Sequence, residues 1–204
     1  ASVYPDHERD AEALLRAADA ALFHAKALGR SRVTMFTPEL LVSASEKFNI
    51  QQRLRRALQQ DEFELFYQPL VDAETHEVAA VEALIRWRLP DGGFRAPDEF
   101  LAVAEESEIN DWVMRTAIAT AARWHRGPWP GARVAVNVSP RQFQDHRFIT
   151  RLEELLRQHE LPARCLELEL TESVLQTGTR TIETLEQLRA IGIAVALDDF
   201  GTGY

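Results

Sequence analysis

The chain has 204 residues, 46% hydrophobic and 27% charged, which is enough apolar material for one sizeable core in a water-facing molecule. Its net charge of −9 argues against a long sequence-independent grip on a nucleic-acid polymer, which uses many basic contacts to phosphate. Apolar runs are broken every few residues by Arg, Glu or Asp, far short of the roughly 20 that a spanning helix needs, and no signal peptide opens the chain.

Ala13, Leu14, Ala17, Ala18, Ala21 and Leu22 recur at helical spacing ahead of Gly29, which predicts a helix over residues 10–29. A strand-like piece follows from Arg32 to Phe36, and Ala1 to Pro5 reads as the tail of another strand. Two strand pieces and one helix cannot bury a core alone. Residues 1–40 are therefore expected to close a preceding domain, and residues 41–61 to form a linker whose polar amphipathic helix runs from Glu46 to Gln60 after the Thr37-Pro38 break. From residue 62 to 204 a strand-helix rhythm predicts an α/β domain.

Within that domain the pattern predicts strands near Phe63–Tyr67, Val78–Trp87, Arg133–Val138, Cys165–Leu170 and Ala194–Asp198. Helices are predicted near Pro97–Glu106, Trp112–Trp124, Phe148–His159 and Thr179–Ile191. The first two strands are too close in sequence for a helical crossover and should pair antiparallel, while the later ones, each separated by a helix, should run parallel. Cys165, the single cysteine, cannot form an internal disulfide and reads as a packing residue in a reducing compartment. Six histidines without ligand spacing make zinc a poor fit. Trp124, Trp129 and Phe143 read as packing residues near helix ends.

Reactive groups of parallel α/β barrels gather at the carboxyl ends of the strands, and Asn137, Glu169 and Asp198 stand there on three successive strands. In the second strand Glu82, Leu84 and Arg86 alternate onto one face. Each polar residue taken singly reads as a cap or a loop contact. Arriving together at one rim, they crowd carboxylates in a way that a cation would relieve. Oxygen donors without imidazole or thiolate suit Mg²⁺ or Mn²⁺, and the Asp198-Asp199 pair could bridge or divide between two ions. Arg86 fits a two-pronged clamp on phosphate, or a salt bridge to Glu82 that only orients the strand.

The motifs Phe66-Tyr67-Gln68-Pro69, Glu82-Ala83-Leu84-Ile85-Arg86-Trp87, Asn137-Val138-Ser139, Glu169-Leu170-Thr171-Glu172 and Asp198-Asp199-Phe200-Gly201-Thr202-Gly203 occur in that order. From about Glu46 onward the chain thereby resembles the EAL-type cyclic di-GMP phosphodiesterases. The resemblance implies a (β/α)8 TIM-like barrel with an antiparallel first strand, hydrolysing cyclic di-GMP to linear pGpG. It implies that Glu82, Asn137, Glu169, Asp198 and Asp199 bind two ions, Mg²⁺ or Mn²⁺, with Glu82, Asp198 and Asp199 engaged in catalysis. Gln68, Arg86 and Pro97 would contact substrate, the last within the loop Pro97-Asp98-Glu99-Phe100. Glu172 would steady the loop beginning at Phe200.

Tyr4-Pro5, Ala18 to Phe23, Ala25-Lys26 and Gly29-Arg30 resemble the closing segment of a GGDEF diguanylate cyclase domain. A barrel of this type takes about 250 residues, so the chain is expected to be a portion of a longer polypeptide with a mass well above 23.2 kDa. A lysine, a glutamate and a glutamine of the site would then follow Tyr204. The implied partners are a second copy of the domain and upstream sensor domains, in the cytoplasm or on a membrane-anchored parent. The main rival is a non-catalytic cyclic di-GMP receptor or regulatory scaffold. A glycoside hydrolase with paired carboxylates would leave Asn137 and the Asp pair unexplained.

Overall fold

The computed structural model describes residues 1–27, 32–95, 97, 100, 108–175 and 179–198. The chain divides into two compact units, Ala1–Arg56 and Ala57–Tyr204.

In the first unit, helix α1 (Ala11–Ala27) starts where the Asp10 carboxylate accepts the Ala13 N–H at 2.9 Å. Ala17, Ala20 and Ala21 lie on one face of it and pack with Phe36 and Leu40. The expected strand over Arg32–Phe36 does not form. Among the described residues its backbone partner is Ala1, whose carbonyl accepts from Phe36 at 2.8 Å and whose ammonium donates to the Thr34 carbonyl. One paired residue makes no ladder. Nor do residues 1–5 continue as a strand, because Tyr4 enters a turn closed by His7 donating to the Val3 carbonyl at 3.0 Å. Helix α2 (Pro38–Gln59) begins eight residues before the expected Glu46. Pro38 opens it instead of breaking the chain, since the first helical position needs no N–H, and Glu39 meets the positive helix end. No described helix is long and apolar enough to cross a membrane.

The second unit is built on a sheet of β1 (Phe63–Val71), β2 (Val78–Arg88), β3 (Phe94–Arg95), β4 (Val134–Val138), β5 (Leu166–Thr171) and β6 (Ala194–Asp198). Their order is β1-β2-β4-β5-β6, with β3 on β2. β1 and β2 form the anticipated antiparallel hairpin, in register from Phe63 opposite Trp87 to Val71 opposite Val78. Asp72 shapes its turn by accepting the N–H groups of Glu74 at 3.0 Å and Thr75 at 2.8 Å, bonds that hold its carboxyl below the usual range. The remaining neighbours, β2 with β4, β4 with β5 and β5 with β6, run parallel. The described sheet is open and does not close on itself.

Alternation sorts the side chains. Val81, Ala83, Val134, Val136, Val138, Leu166, Leu168 and Leu170 face the core. Helices α3 (Ile109–His125), α5 (Phe148–His159) and α7 (Thr179–Ile191) supply the other side of it. Ala117, Ala121 and Ala122 let α3 approach closely, and Phe148, Leu152 and Leu156 form the buried stripe of α5 at helical spacing. Gly192, at φ +93°, donates to the Leu188 and Arg189 carbonyls and turns the chain from α7 into β6, a conformation that favours glycine. Most of the predicted helix over Pro97–Glu106 lies outside the described residues.

Two short helices were not anticipated: α4 (Pro140–Gln144) and α6 (Glu172–Leu175). α4 starts with a capping box: Ser139 Oγ accepts the Gln142 N–H at 3.3 Å while Gln142 Oε1 accepts the Ser139 N–H at 3.4 Å. Ser139→Ala removes this cap and the bond from Asn110 Nδ2 at 3.3 Å. It should cost about 0.5–2 kcal/mol, read as a lower urea midpoint with unchanged slope.

Candidate active site

The sheet face opposite the core carries the polar set. Gln68 stands opposite Glu82 across the hairpin, Asn137 is paired with Glu169, and Asp198 is paired with Thr171, two residues beyond Glu169 on β5. Alternation therefore puts Gln68, Glu82, Arg86, Asn137, Glu169 and Asp198 on one face although they come from five strands. The closest contact crosses from β4 to β2, where Asn137 Nδ2 donates to Glu82 Oε1 at 2.8 Å.

Glu169 is the electrostatic focus. Partial burial, then the charges of Glu82, Asp198 and Glu167, push its carboxyl up to about 7, and it shares a hydrogen bond with Glu82. Its Oε2 atom is buried without a hydrogen-bond partner. Leaving a buried carboxylate oxygen unpaired is costly, and so is crowding like charges at one rim. A hard divalent cation would relieve both, and carboxylates with one amide carbonyl are donors of the kind that Mg²⁺ or Mn²⁺ takes. Among the described residues, no group of three or more His, Cys, Asp or Glu side chains is gathered closely enough to hold an ion. Glu82, Asn137 and Glu169 meet. Asp198 acts on Glu169 through its charge from the neighbouring strand end.

Arg86 does not take the salt-bridge role toward Glu82. Its Nη1 donates to the Ile85 carbonyl at 2.8 Å and its guanidinium carbon lies 5.6 Å from the Phe66 ring centroid. Glu172 opens α6, just beyond β5, and its Oε2 is also buried without a hydrogen-bond partner. The Pro97 carbonyl accepts from Phe100 at 3.0 Å. Asp98, Glu99, Asp199 and the Phe200–Tyr204 loop fall outside the described residues.

The aromatic residues near helix ends are packing groups, as read from the sequence. Phe143 is buried in the core, and Trp124 and Trp129 pack against it, with Tyr67 edge-on to Trp124 at 4.7 Å. Cys165 is buried in the same core, 3.8 Å from His125 Nδ1. Phe66 stands in the sequence only as the head of the Phe66-Tyr67-Gln68-Pro69 motif, without a role, and Phe94 in no motif. They share the polar face with Gln68 and Arg86, and the signal was available, since Phe66 interrupts an otherwise polar run of Glu64 and Gln68 on that side of β1.

An α/β sheet with an antiparallel first strand, parallel strands after it and polar side chains gathered on the face opposite the core is a TIM-barrel-like scaffold. The chain belongs to the EAL domain family, which matches residues 51–204. The cyclic di-GMP phosphodiesterase NbdA of Pseudomonas aeruginosa is 38% identical over 208 residues, covering 100% of this chain and 27% of the relative. The bifunctional diguanylate cyclase/cyclic di-GMP phosphodiesterase MucR of the same species is 35% identical, covering 100% of this chain and 30% of its own length. A solved structure of the PaMucR phosphodiesterase in complex with c-di-GMP superposes with a TM-score of 0.72 at 35% identity, over 76% of this chain and 65% of that one. This chain spans between 24% and 32% of the curated relatives it matches.

Proposed function

We propose that this chain contributes the strand-end site of an enzyme that hydrolyses cyclic di-GMP to linear pGpG in bacterial second-messenger signalling. The observation that carries the reading is the meeting of Glu82, Asn137 and Glu169 from three separate strands, with Glu169 crowded by Glu82 and Asp198. Membership in the EAL domain family, and relatives named as cyclic di-GMP phosphodiesterases, support it.

In this reading Glu82, Asn137, Glu169 and Asp198 hold one divalent ion, Mg²⁺ or Mn²⁺, and Asp199 serves a second. Such ions, when bound, lower the pKa of a water and neutralise charge on the phosphoryl oxygens. The residues of the chain do the positioning. Arg86, two alternations along β2 from Glu82, offers its guanidinium to the phosphodiester. Gln68, opposite Glu82, presents its amide beside the same group, and Pro97 borders the substrate. Glu172 supports the loop at Phe200 from behind the ligand set. Water oxygen attacks phosphorus, the 3′ oxygen leaves, and the product keeps both guanosines on one chain.

The open sheet is read as part of a (β/α)8 barrel. Residues 1–40 are read as the end of a GGDEF domain, 41–61 as a connecting helix and 62–204 as EAL domain. A relative named for both activities that aligns across the whole of this chain supports a GGDEF end ahead of an EAL domain. A cytoplasmic site, a homodimer and upstream sensor domains belong to the same proposal. The test is release of pGpG from cyclic di-GMP by the full-length protein with Mg²⁺ or Mn²⁺, stopped by EDTA. Tight binding without any release of pGpG would replace the enzyme by a non-catalytic receptor.

A further inference from the structure

Phe66 and Phe94 are large aromatic side chains left 44% and 43% exposed. Phe66 stands opposite Leu84, one step along the hairpin from Gln68 opposite Glu82, which is about 7 Å along the strand. Phe94 joins it because β3 pairs with the end of β2, setting Phe94 opposite Arg88. The two rings meet edge to face, 5.1 Å apart at 74°, with the Arg86 guanidinium 5.6 Å from the Phe66 centroid.

Exposed rings in contact with a guanidinium call for a cover that is flat, apolar on its face and rich in acceptors at its edge. A guanine base carried by the phosphodiester that Arg86 contacts has that chemistry: its π-face stacks on one aromatic ring, and a second ring set nearly perpendicular to the first meets its edge. We infer that Phe66 and Phe94 form the platform on which one guanine of cyclic di-GMP is held. The order along the hairpin supports the assignment. Phe66, level with Leu84, and Phe94, level with Arg88, flank Arg86 along β2, so the rings border the guanidinium read as the contact to the phosphodiester. The inference rests on cyclic di-GMP being the substrate.

In the full-length protein with Mn²⁺, Phe66→Ala and Phe94→Ala should each raise KM for cyclic di-GMP about 5- to 150-fold, the usual range for losing one base–aromatic stack, with kcat little changed. Phe66→Trp, which keeps a π-face, should retain the wild-type KM. Should Phe66→Ala fail to fold, Phe66→Leu carries the test, because it keeps apolar bulk, loses the ring and should raise KM likewise. Phe94→Ala separates stacking from mere support of Arg86, since it leaves Phe66 in place. A rise in KM on changing Phe66 but not Phe94 assigns Phe66 to holding Arg86 and overturns the platform. Unchanged KM in both, with an active wild type, also overturns it. A wild type that neither binds nor cleaves cyclic di-GMP takes down the substrate reading and the platform together.

Discussion

Glu169→Gln in the full-length protein should cut cyclic di-GMP turnover on the order of 10³-fold, the rate equivalent of losing several kcal/mol of metal-centred stabilisation. The same change should leave the metal-stripped fold at least as stable as wild type at alkaline pH. Both effects arise from one side chain. Its carboxyl is partly buried, faces Glu82 and Asp198, and titrates near about 7 instead of the ordinary glutamate value of 4.5. A carboxyl raised in the folded state favours folding while protonated. That contribution is fully present below the unfolded value and is lost as pH rises through the folded one. Glutamine has no such charge to develop. In EDTA, the wild-type Tm should therefore fall as pH rises through about 7, while the Tm of Glu169→Gln should not follow. Added Mn²⁺ should restore the wild type by mass action and help the variant far less. A variant with full turnover would remove Glu169 from the ligand set, and one with the wild-type pH response would remove it as the source of that response.

Leu168→Ala should damage the core heavily. Leu168 is fully buried at the centre of β5, paired with Val136 on one side and Val195 on the other. Truncation leaves a cavity between two strands that are themselves covered by helices, at about 2–5 kcal/mol out of a typical total of about 5–15 kcal/mol. Leu197, 44% exposed on β6, is the control, and its replacement by alanine should cost much less. Urea unfolding followed by circular dichroism reads both. Equal midpoints for the two variants would mean that β5 does not run through the centre of the core.

What could be read from residues alone follows the strength of the physical signal. The antiparallel hairpin was legible because about ten residues cannot carry a parallel crossover. The strand ends bearing Asn137, Glu169 and Asp198 were legible because period-two alternation fixes a face once one side is apolar. Arg32–Phe36 was not, because strand-like composition does not reveal whether a partner lies alongside, and among the described residues Ala1 alone does. Pro38 reads equally as a stop and as a favoured first helical residue, and the local sequence does not separate the two. Ser139-Pro140-Arg141-Gln142 carries a capping-box signal, but the helix it opens is five residues long, too short to show an apolar period. Of the site, the meeting of Glu82 with Asn137 required three dimensions. So did the turning of Arg86 toward Phe66, because a shared face does not say which neighbour a long side chain chooses.

Along β5, Glu167 and Glu169 alternate with three leucines that are all fully buried. Inserting or deleting a single residue in this run would exchange the two sets, driving carboxylates into oil and leucines into the cleft. Chemistry and foldedness would then be lost in one event. Tolerated changes in length should fall in the connections, or come in twos.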